Sequence, residues 1–116
     1  MNETILVAGG GISGLTAAVE AVEAGFDVLL VEKEPSLGGR VAQLNLYFPK
    51  LCPPGCGLEI VFKRLAANSR FRLLTSAEVI AVSGGEGSFE VVVSLKPTFV
   101  KENCTGCGRC AEACPA

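Results

Sequence analysis

The sequence predicts an α/β fold built on a βαβ unit and followed by a β-hairpin. Three observations carry the prediction. Residues 1–32 read as strand, glycine-rich turn, helix and strand; a second helical stretch then precedes a short apolar run; and two β-rich runs flank a glycine turn near residue 85. The 116 residues are 49% apolar and have a mean hydropathy of +0.45, which is enough for the core of one small domain.

Each element has its own warrant. Thr4 to Ala8 is a β-branched apolar run that ends in a glycine cluster, the pattern of a strand. Leu15 to Ala24 is alanine-rich with helical periodicity, and Gly25 stops it. Phe26 to Glu32 is the second strand, with no polar residue between Val28 and Val31, as in a parallel sheet covered on both faces. Lys33 to Gly57 is rich in proline and glycine and reads as a long loop with a short helix near Val41 to Leu46. Long loops in compact domains tend to carry function. Leu58 to Asn68 repeats apolar residues at helical spacing, and Phe71 to Thr75 adds a third strand to the parallel sheet. Ala77 to Ser83 and Ser88 to Leu95 enclose Gly84-Gly85-Glu86-Gly87 and predict a hairpin. Lys96-Pro97 marks a boundary, after which Thr98 to Val100 reads as one short strand.

Composition narrows the chemistry. A net charge of −2 with no basic cluster gives no electrostatic footprint for nucleic acid or an anionic membrane surface. No stretch approaches the roughly 18 apolar residues of a membrane-spanning helix. The start, Met-Asn-Glu-Thr, has no basic leader, so a cytoplasmic chain without membrane insertion is expected. Histidine is absent, which removes imidazole catalysis and histidine-ligated metal sites. Cofactors, cysteines or charged groups must supply the reactivity.

The glycine cluster is the first candidate site. Gly9-Gly10-Gly11-Ile12-Ser13-Gly14 lies after one predicted strand and opens one predicted helix, the context of a dinucleotide fingerprint. Gly9 permits the tight turn, Gly11 lets a pyrophosphate approach the backbone, and Gly14 lets the helix pack close to the sheet. The helix N-terminus, opened by Ile12 and Ser13, then offers N–H groups to the phosphates. Glu32 ends the second strand where a carboxylate accepts from ribose hydroxyls, and Lys33 adjoins it. The domain is thus Rossmann-like. The fingerprint alone leaves FAD and NAD both open.

The second candidate is Cys104-Thr-Gly-Cys107-Gly-Arg-Cys110-Ala-Glu-Ala-Cys114-Pro115, a C-x2-C-x2-C-x3-C-P run of ferredoxin type. Its thiolates suit a 4Fe-4S cluster, whereas zinc sites usually pair two C-x2-C knuckles across a longer loop. In two-cluster ferredoxins the fourth cysteine of such a run serves the other cluster, so Cys104, Cys107 and Cys110 are the firmer ligands. The third candidate, Cys52-Pro-Pro-Gly-Cys56 in the long loop, admits three readings: a redox dithiol, ligands of another cluster, or two unrelated thiols.

Two resemblances follow from these residues. The pattern Gly9-x-Gly11-x-x-Gly14, Ala18, Gly25 and Glu32, continued by Leu37-Gly38-Gly39-Arg40, resembles the FAD-binding segment of two-dinucleotide-fold flavoproteins, with Gly38, Gly39 and Arg40 near the cofactor. This favours FAD. With Val41-Ala42-Gln43, the segment Tyr47-Phe48-Pro49-Lys50-Leu51-Cys52-Pro53-Pro54, then Cys56-Gly57-Leu58-Glu59 and the terminal cysteine run, the chain resembles the family of A-type subunits of heterodisulfide reductase. The likeness is greatest to the A-type subunit of the quinone-interacting membrane-bound oxidoreductase complex. It implies a flavin and iron–sulfur protein that passes electrons among the other subunits of a complex, with Cys52 and Cys56 belonging to a cluster near the flavin. Members of that family are several-fold longer, so the expected organisation is an incomplete FAD-binding domain at 1–97 and the truncated start of a ferredoxin-like insert at 98–116.

Overall fold

A computed structural model describes residues 3–97 and 99–115. The order is β1 (Thr4–Ala8), α1 (Ile12–Glu23), β2 (Asp27–Val31), α2 (Gly55–Ala66), β3 (Phe71–Leu74), β4 (Ala77–Gly85), β5 (Ser88–Leu95) and α3 (Arg109–Glu112). Strands β1, β2 and β3 form a parallel sheet in that order, with β2 central. Strands β4 and β5 pair antiparallel around Glu86-Gly87, with a register shift between Val79 and Ala81.

The core follows from helical spacing on α1. Leu15, Ala18, Val19 and Val22 form one buried stripe, and they meet Val28 and Leu30 of β2 and Leu58 and Leu65 of α2. Leu15, Val28 and Leu30 are fully enclosed. An ion pair between Arg64 of α2 and Glu23 of α1 bridges the two helices at the surface.

Several expectations need correction. Helix α1 begins at Ile12, because Gly11 serves as its N-cap and its carbonyl accepts the Leu15 N–H at 2.9 Å; the first turn carries no apolar stripe, so periodicity missed it. Helix α2 starts at Gly55, because Pro54 is its N-cap and its carbonyl accepts the Leu58 N–H at 3.2 Å. The helix placed near Val41 to Leu46 is a 3-10 turn of three residues, Val41–Gln43. No described helix covers the opposite face of the sheet, where Leu6, Leu29 and Leu74 are half-buried and Val31 is buried. Of the short strand placed at Thr98 to Val100, Phe99 and Val100 form a bend, and Thr98 lies outside the described residues.

Candidate functional site

The glycine loop is shaped by contacts that forbid a side chain at Gly14, crowd one at Gly10 and leave space at Gly9 and Gly11. A Cβ on Gly14 would lie 1.8 Å from the Gly9 carbonyl oxygen, so α1 can approach the turn only with hydrogen there. Gly9 has φ +107°, a conformation glycine adopts without strain, and its N–H donates to the Val31 carbonyl at 2.8 Å. Cβ atoms built on Gly9 and Gly11 meet nothing within 4 Å. The open sides of Gly9 and Gly11 and the first-turn N–H groups of Ile12, Ser13 and Gly14 form a cradle of the kind a pyrophosphate occupies.

Glu32 stands directly after β2 and is 8% exposed. Its Oε2 accepts the Gly10 N–H at 2.5 Å, and its Oε1 accepts the Glu34 N–H at 3.0 Å. Glu32 and Lys33 line an open cleft with Ala8, Gly9, Val31, Ala77, Glu78 and Val79. The second glycine pair packs on the first. The Gly38 N–H donates to the Gly10 carbonyl at 2.8 Å, and a Cβ on Gly39 would lie 3.1 Å from the Gly11 Cα. Gly38 is buried with its N–H spent inside the protein, whereas Gly39 is half-buried beside the cradle and Arg40 is exposed. The sequence assigned no role of their own to Gly10 and Leu37: a Cβ on Gly10 would sit 2.4 Å from Leu37 Cδ2, so this glycine is the junction of both turns.

Cys52 and Cys56 lie on either side of the start of α2, one half-buried and one exposed. A β-bridge pairs Tyr47 with Cys52, whose carbonyl accepts the Tyr47 N–H at 3.2 Å. The Tyr47 phenol is raised above its ordinary 10.0, first by a hydrogen bond to Cys52, then by the charge of Cys52, by burial, and by the charge of Cys56. In the sequence Tyr47 stands only as part of a motif; its place beside the cysteines comes from the bridge.

The terminal run has the donor chemistry of an iron–sulfur site without a gathered cage. All four of its cysteines are exposed, Cys110 lies on α3, and Gly106 and Gly108 take φ +68° and +80° between ligand positions. Among the described residues, no three Cys, Asp or Glu side chains come together as a metal-binding group. The donor set fits a cluster by type, since it offers thiolates alone at ferredoxin spacing.

Comparison with known proteins places this geometry. A family model described as NAD(P)-binding Rossmann-like domain matches residues 7–73, more than half of the chain. The chain belongs to that family. A 4Fe-4S binding domain model matches residues 95–116. The chain is 45% identical over 116 residues to one of the iron–sulfur A-type subunits of CoB--CoM heterodisulfide reductase from Methanopyrus kandleri, covering 99% of this chain and 18% of that protein. It is likewise 45% identical over 119 residues to the iron–sulfur A-type subunit of the same reductase from Methanocaldococcus jannaschii, again covering 99% of this chain and 18% of the relative. The expected homology to the A-type subunits of heterodisulfide reductase is thus present along nearly the whole chain, which spans 18% of these curated relatives. Among solved structures, histamine dehydrogenase from Rhizobium sp. 4-9 superposes with TM-score 0.58 at 30% identity, covering 66% of this chain and 12% of that one. Thioredoxin reductase of T. acidophilum superposes with TM-score 0.63 at 23% identity over 76% of this chain and 29% of that one, a likeness of fold.

The α/β Rossmann-like class read from the sequence holds, as does the pairing of a dinucleotide fold with a 4Fe-4S segment. Both relatives are named as subunits of heterodisulfide reductase. No described helix is long and apolar enough to cross a membrane.

Proposed function

We propose that this chain is the nucleotide- and cluster-binding portion of an FAD- and iron–sulfur-dependent electron-transfer oxidoreductase of heterodisulfide reductase A type. The observation that carries the reading is one chain holding both an open dinucleotide cradle and a thiolate-only C-x2-C-x2-C-x3-C-P run. Gly9, Gly11, Ile12, Ser13 and Gly14 would receive the pyrophosphate, Glu32 and Lys33 the adenosine ribose, and Gly39 and Arg40 the flavin side, with Gly38 supporting them from within. Cys104, Cys107, Cys110 and Cys114 would hold the 4Fe-4S cluster. When bound, FAD exchanges electrons in pairs or singly, and the cluster singly. The residues of the chain fix where these groups sit and shape the polarity around them.

The working units are residues 1–97 for the nucleotide and 98–116 for the cluster. The partners are other subunits of an electron-transfer complex, and six free cysteines suit the reducing cytoplasm. Anaerobic cluster reconstitution followed by calorimetric titration with FAD, ADP and NAD tests the reading. It expects a broad visible absorbance with bound iron and sulfide, and FAD bound more tightly than ADP or NAD. A full-length parent protein with neither flavin absorbance nor that band, or a chain that prefers NAD, would overturn it.

The spacing of Cys52 and Cys56, a C-x3-C pair, supports a second reading in which these cysteines are a redox dithiol. It expects alkylation of both thiols to abolish disulfide reduction without lowering iron content. If Cys52→Ser or Cys56→Ser lowers iron content, the pair are ligands.

A further inference from the structure

We infer that Glu32 is a positioning residue for the phosphate loop, shaping it before any nucleotide arrives; this rests on the nucleotide-site reading above. A carboxylate serving ribose alone would project free oxygens into the cleft. Here both oxygens are engaged by backbone amides, Gly10 at 2.5 Å and Glu34 at 3.0 Å, and the residue is 8% exposed. The backbone of Glu32 is equally fixed: its N–H donates to the Leu74 carbonyl at 2.8 Å, and its carbonyl accepts the Ala77 N–H at 2.9 Å. One residue thereby joins the end of β2 to β3, to β4 and to the glycine turn.

The bonded partner is informative. Gly10 gives its N–H to Glu32, and its carbonyl accepts from Gly38, so the peptide groups around one glycine tie the β1–α1 turn to the end of β2 and to the Leu37–Gly39 turn. A side chain there would have to push the ends of both partners aside, since a Cβ would lie 2.8 Å from Glu32 Oε2 and 2.4 Å from Leu37 Cδ2. Three successive glycines are otherwise among the costliest residues to order. The carboxylate clamp orders them during folding, so the phosphates meet N–H groups already aimed at them. Ribose hydroxyls would use the remaining lone pairs of the same oxygens.

Glu32→Gln tests this, because a carboxamide keeps one acceptor oxygen and cannot hold both amides. The probes are ADP and dideoxy-ADP, which lacks both ribose hydroxyls. The clamp predicts that Glu32→Gln weakens dideoxy-ADP binding about tenfold, the scale of one charge-assisted hydrogen bond. Unchanged dideoxy-ADP affinity, with loss confined to ADP, would reduce Glu32 to a ribose acceptor and overturn the inference. A second measurement needs neither ligand nor variant: in the wild-type chain the Gly10 amide should be protected from hydrogen exchange and shifted downfield in NMR. Rapid exchange there also overturns the clamp. If neither nucleotide binds the wild type, the nucleotide reading fails, and the Gly10 amide alone decides the clamp.

Discussion

Gly11 and Gly14, three residues apart in one loop, should respond to substitution in opposite ways. At Gly14 an added Cβ meets the Gly9 carbonyl oxygen at 1.8 Å and its carbon at 3.0 Å. Both are backbone atoms of a turn held by the Gly9 N–H to Val31 bond, so α1 or the turn must yield by roughly 1.6 Å to reach ordinary contact. Gly14→Ala gains about 1 kcal/mol of helix propensity but takes on an overpacking cost at or above the usual range of roughly 1–3 kcal/mol, because rigid backbone must yield. The expected net loss is on the order of 2 kcal/mol, a fall in Tm of about 6–10 °C for a chain this size. At Gly11 a Cβ meets nothing within 4 Å, and φ −76° suits any residue. Gly11→Val should therefore leave stability within about 1 kcal/mol, the scale of a helix-cap change, while filling the pyrophosphate's space and lowering FAD or ADP affinity at least tenfold. Thermal melts and calorimetric titrations of both variants measure the pair. A Gly14→Ala chain as stable as wild type, or a Gly11→Val chain that binds normally, would refute the cradle geometry.

Other outcomes follow from the same structure. Tyr47 is the only tyrosine and there is no tryptophan, so its tyrosinate absorbance reads one site; the phenol should stay protonated above pH 10.0, and Cys52→Ala, which removes the hydrogen-bonding group, should bring the midpoint down. An unmoved midpoint would place Cys52 away from the hydroxyl. Leu15→Ala, at a fully enclosed position, should cost about 2–5 kcal/mol in urea unfolding; a loss below about 1 kcal/mol would show that α1 is not seated on the sheet. Arg64→Ala removes a half-exposed pair with Glu23 and should cost no more than about 1 kcal/mol, less in high salt. A larger, salt-independent loss would mean that the Arg64 stem packs rather than pairs.

Much of the fold was legible because local rules and tertiary packing agree. Thr4–Ala8 and Ser88–Leu95 appear with the predicted limits, since apolar runs bordered by glycine or proline leave little choice of boundary. Helix starts were less legible. Ile12-Ser13-Gly14 and Gly55-Cys56-Gly57 have poor intrinsic helix propensity and no apolar stripe, and they are helical because Gly11 and Pro54 cap turns that the sheet and the core hold in place.

The chain's sequence by itself determined the chemistry on offer: a glycine loop after a strand, a carboxylate at the end of the next strand, six thiols and no histidine. These depend on residue type and spacing, which are local. Tertiary structure alone decided that Gly10 is the hub, that Gly38 braces the loop from inside, that Tyr47 lies beside Cys52, and that both oxygens of Glu32 are already bonded. Most of these join segments distant along the chain, and such contacts exist only after β2 has been set beside β1 and the long loop has folded back over the glycine turn.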